Sequence, residues 1–109
     1  MAFLPVSALR AQDLERRLDA GEALTLVDVR TAAERAICAI EGSRLLDQEE
    51  RNRIAGLPKD TPIVFICHTG VRSMAAAVRY AAMGYSELYN LTGGIEAWAR
   101  DVDQEMPRY

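Results

Sequence analysis

The stretch that decides the fold is Pro62-Ile63-Val64-Phe65-Ile66-Cys67-His68-Thr69-Gly70-Val71-Arg72-Ser73. Its first half is a short apolar run of β-branched and aromatic residues, as expected of a strand buried on both faces. Pro62 is tolerated because it opens the strand. Its second half is polar and contains a glycine. Beyond it, Ser73 to Met83 is rich in alanine, with Met74, Val78 and Ala81 at helical spacing and Gly84 as a stop. A strand, a tight loop and a helix follow one another within about twenty residues, which is one half of a parallel βαβ unit.

The same alternation continues in both directions. Upstream, Phe3 to Ala8 reads as a first strand, and Ala11, Leu14 and Leu18 mark an amphipathic helix stopped at Gly21. Leu24 to Val27 reads as a second strand, Thr31 to Arg35 as a helical turn, and Ser43 to Leu46 as a weak third strand. Asp47 to Ala55 reads as an exposed short helix. Downstream, Glu87 to Leu91 is a fifth strand, and Gly94 opens a last helix carrying Ile95, Trp98 and Ala99. Strands alternating with helices predict an α/β fold, a three-layer sandwich with a five-stranded parallel sheet flanked by helices. Residues 1–100 form a single domain in this reading, and 101–109 an exposed C-terminal tail.

Composition agrees with one domain. The chain has 109 residues, half of them apolar, enough for a single core without disulfide or metal staples. Two cysteines and one histidine are too few for a disulfide scaffold or a four-ligand N/S zinc site. No metal or other cofactor is implied. A formal charge of −3 gives no bulk attraction to nucleic acid or an anionic membrane. No apolar run approaches the roughly 18 residues that span a bilayer. The first residues lack the pattern of a secretory signal. The expectation is a cytoplasmic protein.

The chemistry gathers in the loop. Ligands of an open parallel sheet bind beyond the carboxyl ends of its strands, where Cys67 stands. A loop feeding a helix N-terminus turns several backbone N–H groups to one point and stabilises negative charge there. A thiol at that point ionises more easily than free cysteine. Gly70 lets the backbone curl around the sulfur, and Arg72 adds a cation suited to an oxyanion such as a sulfonate. Cys67 is therefore expected as a nucleophile, with His68, Thr69, Gly70, Val71, Arg72 and Ser73 as the substrate-binding loop. A cysteine ending an apolar strand is often only a small buried hydrophobe. Here the residues that follow suit a polar pocket.

This loop resembles the active-site loop of the rhodanese-like sulfurtransferases, in the form Cys-x-x-Gly-x-Arg-Ser. Leu26-Val27-Asp28-Val29-Arg30 followed by Glu34 resembles the family's "DVR…E" segment. Leu91-Thr92-Gly93-Gly94-Ile95-Glu96-Ala97-Trp98 is close to its "L-x-GG-x-x-x-W" ending. The three landmarks lie in the family's order. The resemblance implies that Cys67 takes a sulfane sulfur from a small sulfur-containing anion as donor. The resulting persulfide then passes the sulfur to a thiophilic acceptor such as cyanide, a thiol or a partner protein. One departure is Cys38-Ala39-Ile40-Glu41-Gly42-Ser43, where Ala39 replaces the family's usual histidine.

Other residues carry alternatives. Asp28 and Arg30 are candidates for the rim of the site or for its support, the preferred reading being an ion-pair cluster with Arg30 and Glu34 at i, i+4 spacing. His68 reads as a proton shuttle or, preferably, as a solvent-facing residue that contributes its backbone N–H. Cys38 reads as a small buried residue, or as a second thiol near enough to resolve a persulfide. Among other functions, a cysteine phosphatase or arsenate reductase pairs Cys and Arg across five residues. Only four, His68 to Val71, intervene here. A non-catalytic binding or sulfur-carrier module is the remaining alternative.

Overall fold

The computed structural model describes residues 5–109. Five strands and five helices alternate along the chain: β1 (Val6–Leu9), α1 (Ala11–Asp19), β2 (Thr25–Asp28), α2 (Ala32–Ile37), β3 (Arg44–Leu45), α3 (Gln48–Ala55), β4 (Ile63–Ile66), α4 (Val71–Ala82), β5 (Leu88–Leu91) and α5 (Gly94–Asp101). The strands form one sheet in the order β1-β5-β4-β2-β3, and every pairing is parallel. The expected α/β sandwich with a five-stranded parallel sheet is the observed fold. Of the first expected strand, Phe3 and Leu4 lie outside the described residues, and the strand runs on to Leu9.

The sheet is covered on both faces because its strands alternate two apolar sets. Val64 and Ile66 face a core made with Leu14 of α1 and with Ile95 and Trp98 of α5. Ile63 and Phe65 face a second core made with Ile54 of α3 and with Ala76, Ala77 and Tyr80 of α4. All four residues of β4 are fully buried, which accounts for its unbroken apolar run. This strand lies between β2 and β5, so the loop at its carboxyl end opens near the middle of the sheet.

Three local features differ from expectation. The third helix, α3, is not wholly exposed: Glu50 and Ile54 are buried, and Glu50 is held by a two-point ion pair with Arg53 at 2.8 Å on each oxygen. The fourth helix begins at Val71, two residues before Ser73, because Gly70 serves as its N-cap with φ of 99°. The C-terminal tail is not free. Met106 is buried in the core with Trp98 and Ala99 of α5, and the Tyr109 ring stacks on His68 of the loop after β4. A run of polar residues from Asp101 to Glu105 hides this anchoring in the sequence.

Candidate active site

Cys67 directly follows β4, and its sulfur is enclosed by its own loop; the residue is only 1% exposed. The Gly70 N–H donates to Cys67 Sγ at 3.0 Å, and the Ser73 hydroxyl lies 3.2 Å from the same atom. The backbone amides of Thr69 and Ser73 also favour the charged form of the sulfur. Burial by itself opposes ionisation and is the largest single influence on this thiol. The Ser73 hydroxyl and the three amides together outweigh it, and the Cys67 pKa falls below its ordinary value. The strand–loop–helix pattern therefore yields the anion-stabilising nest that the sequence suggests.

The loop is clamped from behind. The N–H groups of Ile95 and Glu96, at the start of α5, donate to the carbonyls of Cys67 and His68 at 2.9 and 3.0 Å. That approach requires Gly94: a Cβ there would lie 2.4 Å from the Cys67 oxygen and 2.5 Å from the His68 oxygen. The Gly93-Gly94 pair is thus a turn that lets two backbone segments meet. It also leaves the sulfur-facing amides no slack.

Arg72 is held by Glu34. Its guanidinium forks onto both carboxylate oxygens of Glu34, at 2.7 and 2.8 Å. This pair holds the Glu34 carboxyl well below the usual carboxylate range and strengthens the charge on Arg72. Thr31 and Glu34 form a reciprocal capping box that fixes the carboxylate at the start of α2. The i, i+4 expectation that Glu34 pairs with Arg30 is corrected here: Arg30 reaches only the Glu34 carbonyl, at 3.4 Å.

Asp28 and Arg30 form a buried ion pair. Arg30 donates to Asp28 through Nε at 3.0 Å and Nη2 at 2.8 Å, and Arg35 donates to the same carboxylate at 3.1 Å. Arg30 also donates to the Cys38 carbonyl at 2.6 Å and the Tyr109 phenol at 3.0 Å. Burial works against its charge, and the bonds to Asp28 and Tyr109 more than offset it. The cluster ties the ends of β2 and α2 together beside the loop. Cys38 lies buried under this guanidinium.

His68 is not solvent-facing as expected. Its ring stacks on Tyr109, with centroids 4.1 Å apart and planes within 15°, while Glu96 lies 3.6 Å from its Nε2. Thr69 is exposed, and Val71 is 75% exposed on the first turn of α4. Tyr109 donates from its hydroxyl to Glu34 at 2.8 Å, so the tail joins His68, Arg30 and Glu34 in one rim. Sequence reasoning missed Tyr109, the Arg72–Glu34 fork and Asn90. Asn90 was detectable as a polar residue inside an apolar strand.

The model of the rhodanese-like domain matches residues 10–101. This chain belongs to the rhodanese-like domain family. It is 38% identical over 96 residues to a sulfurtransferase of Allochromatium vinosum, covering 87% of this chain and 90% of that one. It is 34% identical over 104 residues to the thiosulfate sulfurtransferase GlpE of Ectopseudomonas mendocina, covering 94% and 91%. The probable adenylyltransferase/sulfurtransferase MoeZ of Mycobacterium tuberculosis is 37% identical over 106 residues, and there the chain spans only 27% of the relative's length. Among solved structures, a rhodanese-related protein of Thermoplasma volcanium superposes with a TM-score of 0.69 at 30% identity, over 88% of this chain and 93% of that one. A rhodanese-like domain protein of Staphylococcus aureus gives 0.70 at 27% identity, over 84% and 90%. Among the described residues of this rhodanese-like chain, no helix is long and apolar enough to cross a membrane.

Proposed function

We propose that the chain is a thiosulfate-type sulfurtransferase that works through a persulfide on Cys67. The observation that carries this reading is the enclosed sulfur held by the Gly70 N–H and the Ser73 hydroxyl at the start of α4. The Cys67 thiolate attacks the outer sulfur of a donor such as thiosulfate. The donor's S–S bond breaks, and sulfite leaves with its electron pair. The new terminal sulfur carries the negative charge, and the same N–H donors hold it. A thiophilic acceptor (cyanide, a thiol or a cysteine of a partner protein) then attacks that sulfur, and the Cys67 thiolate is restored as leaving group.

Arg72 supplies the cation at the rim. A donor dianion competes with Glu34 for its guanidinium, so the fork serves as a built-in counterion exchanged on binding. His68, Thr69 and Val71 line the approach, and their backbone does more than their side chains. Asp28 and Arg30 support the loop without meeting the donor. A phosphatase reading fits less well. A tetrahedral oxyanion needs room around the sulfur, and here the loop is one residue shorter and closes tightly on it. No metal or cofactor enters the scheme, and the setting proposed is cytoplasmic.

The test is a thiocyanate-forming assay with thiosulfate and cyanide, run beside a phosphomonoester assay on the same sample. Turnover in the first and none in the second supports the reading; the reverse overturns it. Alkylation of Cys67 followed against pH is expected to inflect below the free-thiol value of about 8.5. By linkage, the folded thiolate adds stability in full above the unfolded thiol's pKa. That contribution is lost as pH falls through the lower folded value.

A further inference from the structure

Asn90 is the third residue of β5, in register with Ala8 on one side and Phe65 on the other. Asparagine is depleted in strands, and this one is buried, at 6% exposure. Both ends of its amide are used, and both meet the catalytic loop. Nδ2 donates to the Gly70 carbonyl at 3.1 Å, and Oδ1 lies 2.5 Å from the Ser73 hydroxyl. The Gly70 carbonyl fixes the orientation. A flipped amide would set oxygen against oxygen there and lose the bond.

Ser73 is fully buried, and its hydroxyl lies between two acceptors: Asn90 Oδ1 at 2.5 Å and Cys67 Sγ at 3.2 Å. A hydroxyl has one hydrogen and two lone pairs. While the thiol is neutral, that hydrogen goes to Asn90, and the S–H can itself donate to Ser73 Oγ. Once the sulfur is anionic, the hydrogen turns to it, and Asn90 Oδ1 gives up its donor. The two arrangements hold the same atoms and differ only in where one proton points.

We propose that Asn90 is a positioning residue that competes with Cys67 for the single Ser73 hydrogen and thereby tempers the acidity of the thiol. It rests on the reading of Cys67 as the sulfur-carrying nucleophile. The tempering has a chemical use. A thiolate's intrinsic nucleophilicity falls as its pKa falls, and the best attacking thiol has a pKa near the ambient pH. The loop amides and an unrestrained hydroxyl would stabilise the sulfur anion at the expense of its reactivity. Asn90 holds part of that stabilisation in reserve and releases it when charge develops on the sulfur.

The experiment is a pH series of Cys67 alkylation by iodoacetamide, read at the Cys67 peptide by mass spectrometry so that Cys38 does not contribute. It is run on the unaltered chain, Asn90→Ala, Ser73→Ala and the double variant. Asn90→Ala is expected to shift the inflection downward, with the ionisation constant rising about three- to tenfold, the worth of the neutral Ser73–Asn90 hydrogen bond that no longer competes. In the Ser73→Ala background the same change is expected to give no downward shift. Asn90→Leu, close in size and better suited to a strand, repeats the measurement should the alanine variant not fold. With Ser73 intact, an upward shift or no shift in Asn90→Ala overturns the inference, since Asn90 would then act by holding Gly70 alone. An equal downward shift with and without Ser73 also overturns it. Sulfur loading from thiosulfate, measured on the unaltered chain, separates the two claims. If Cys67 takes no sulfur there, the functional reading fails, whatever the acidity series shows.

Discussion

Two arginines stand beside the Cys67 loop, and each holds a carboxylate by a two-point grip. Arg30 and Asp28 are buried, with side chains 0% and 1% exposed. Arg72 and Glu34 lie at the rim, 46% and 19% exposed. The pairs look alike on paper but differ in what water can do. A buried pair has lost its hydration, so removing one partner strands the other in a medium that cannot solvate it. An exposed pair is worth little to stability because water can replace either partner. We therefore propose the inner pair as scaffold and the outer one as the pair exchanged for an incoming anion.

Four substitutions sharpen or break this contrast. Arg30→Ala leaves Asp28 with Arg35 as its one charged partner, beside the backbone N–H of residue 30, and is expected to cost about 3–5 kcal/mol of stability, measured by urea unfolding. A loss below about 1 kcal/mol, the range of exposed pairs, would erase the distinction. Arg72→Ala is expected to leave the unfolding midpoint nearly unchanged. Its effect is a loss of about 1.5–3 kcal/mol in kcat/KM for thiosulfate, roughly one to two decades, expressed mainly in KM. Transfer from a preloaded persulfide to cyanide is expected to change much less. Equal slowing of both half-reactions would make Arg72 a loop-shaping residue. Tyr109→Ala removes the His68 stack and two hydrogen bonds at the rim, with an expected loss of about 0.5–1.5 kcal/mol in stability. Smallest of all, Glu34→Gln frees Arg72 for the donor and is expected to lower KM for thiosulfate about two- to fivefold, in line with the weakness of exposed pairs. A raised KM would show that Glu34 aims Arg72 and does not compete with the donor.

The same division governs what the sequence makes legible. The fold is written in β4 and α4, where an unbroken run of β-branched and aromatic residues gives way to helical spacing across a glycine. The proposed nucleophile is legible because its position at a strand's carboxyl end and the helix after it have local signatures. Partnerships across the fold leave no such mark. Glu34 lies four residues from Arg30, a spacing that favours that pair on an ideal helix. However, Thr31 caps α2 and turns the carboxylate toward a residue 38 positions away. Tyr109 is a full 75 residues from Glu34, and only the burial of Met106 brings it there. Asn90 was visible as an oddity in its strand, but its two partners become apparent only when β5 is laid beside the loop.

The central claim is that Cys67 carries the sulfur, and one measurement reaches it directly. The chain is incubated with thiosulfate, digested without reductant and analysed by peptide mass spectrometry. The account predicts one added sulfur atom on the Cys67 peptide, removed by cyanide, absent in Cys67→Ser and retained in Cys38→Ser. Sulfur found mainly on Cys38, or an adduct on Cys67 with the mass of the whole donor, would contradict it.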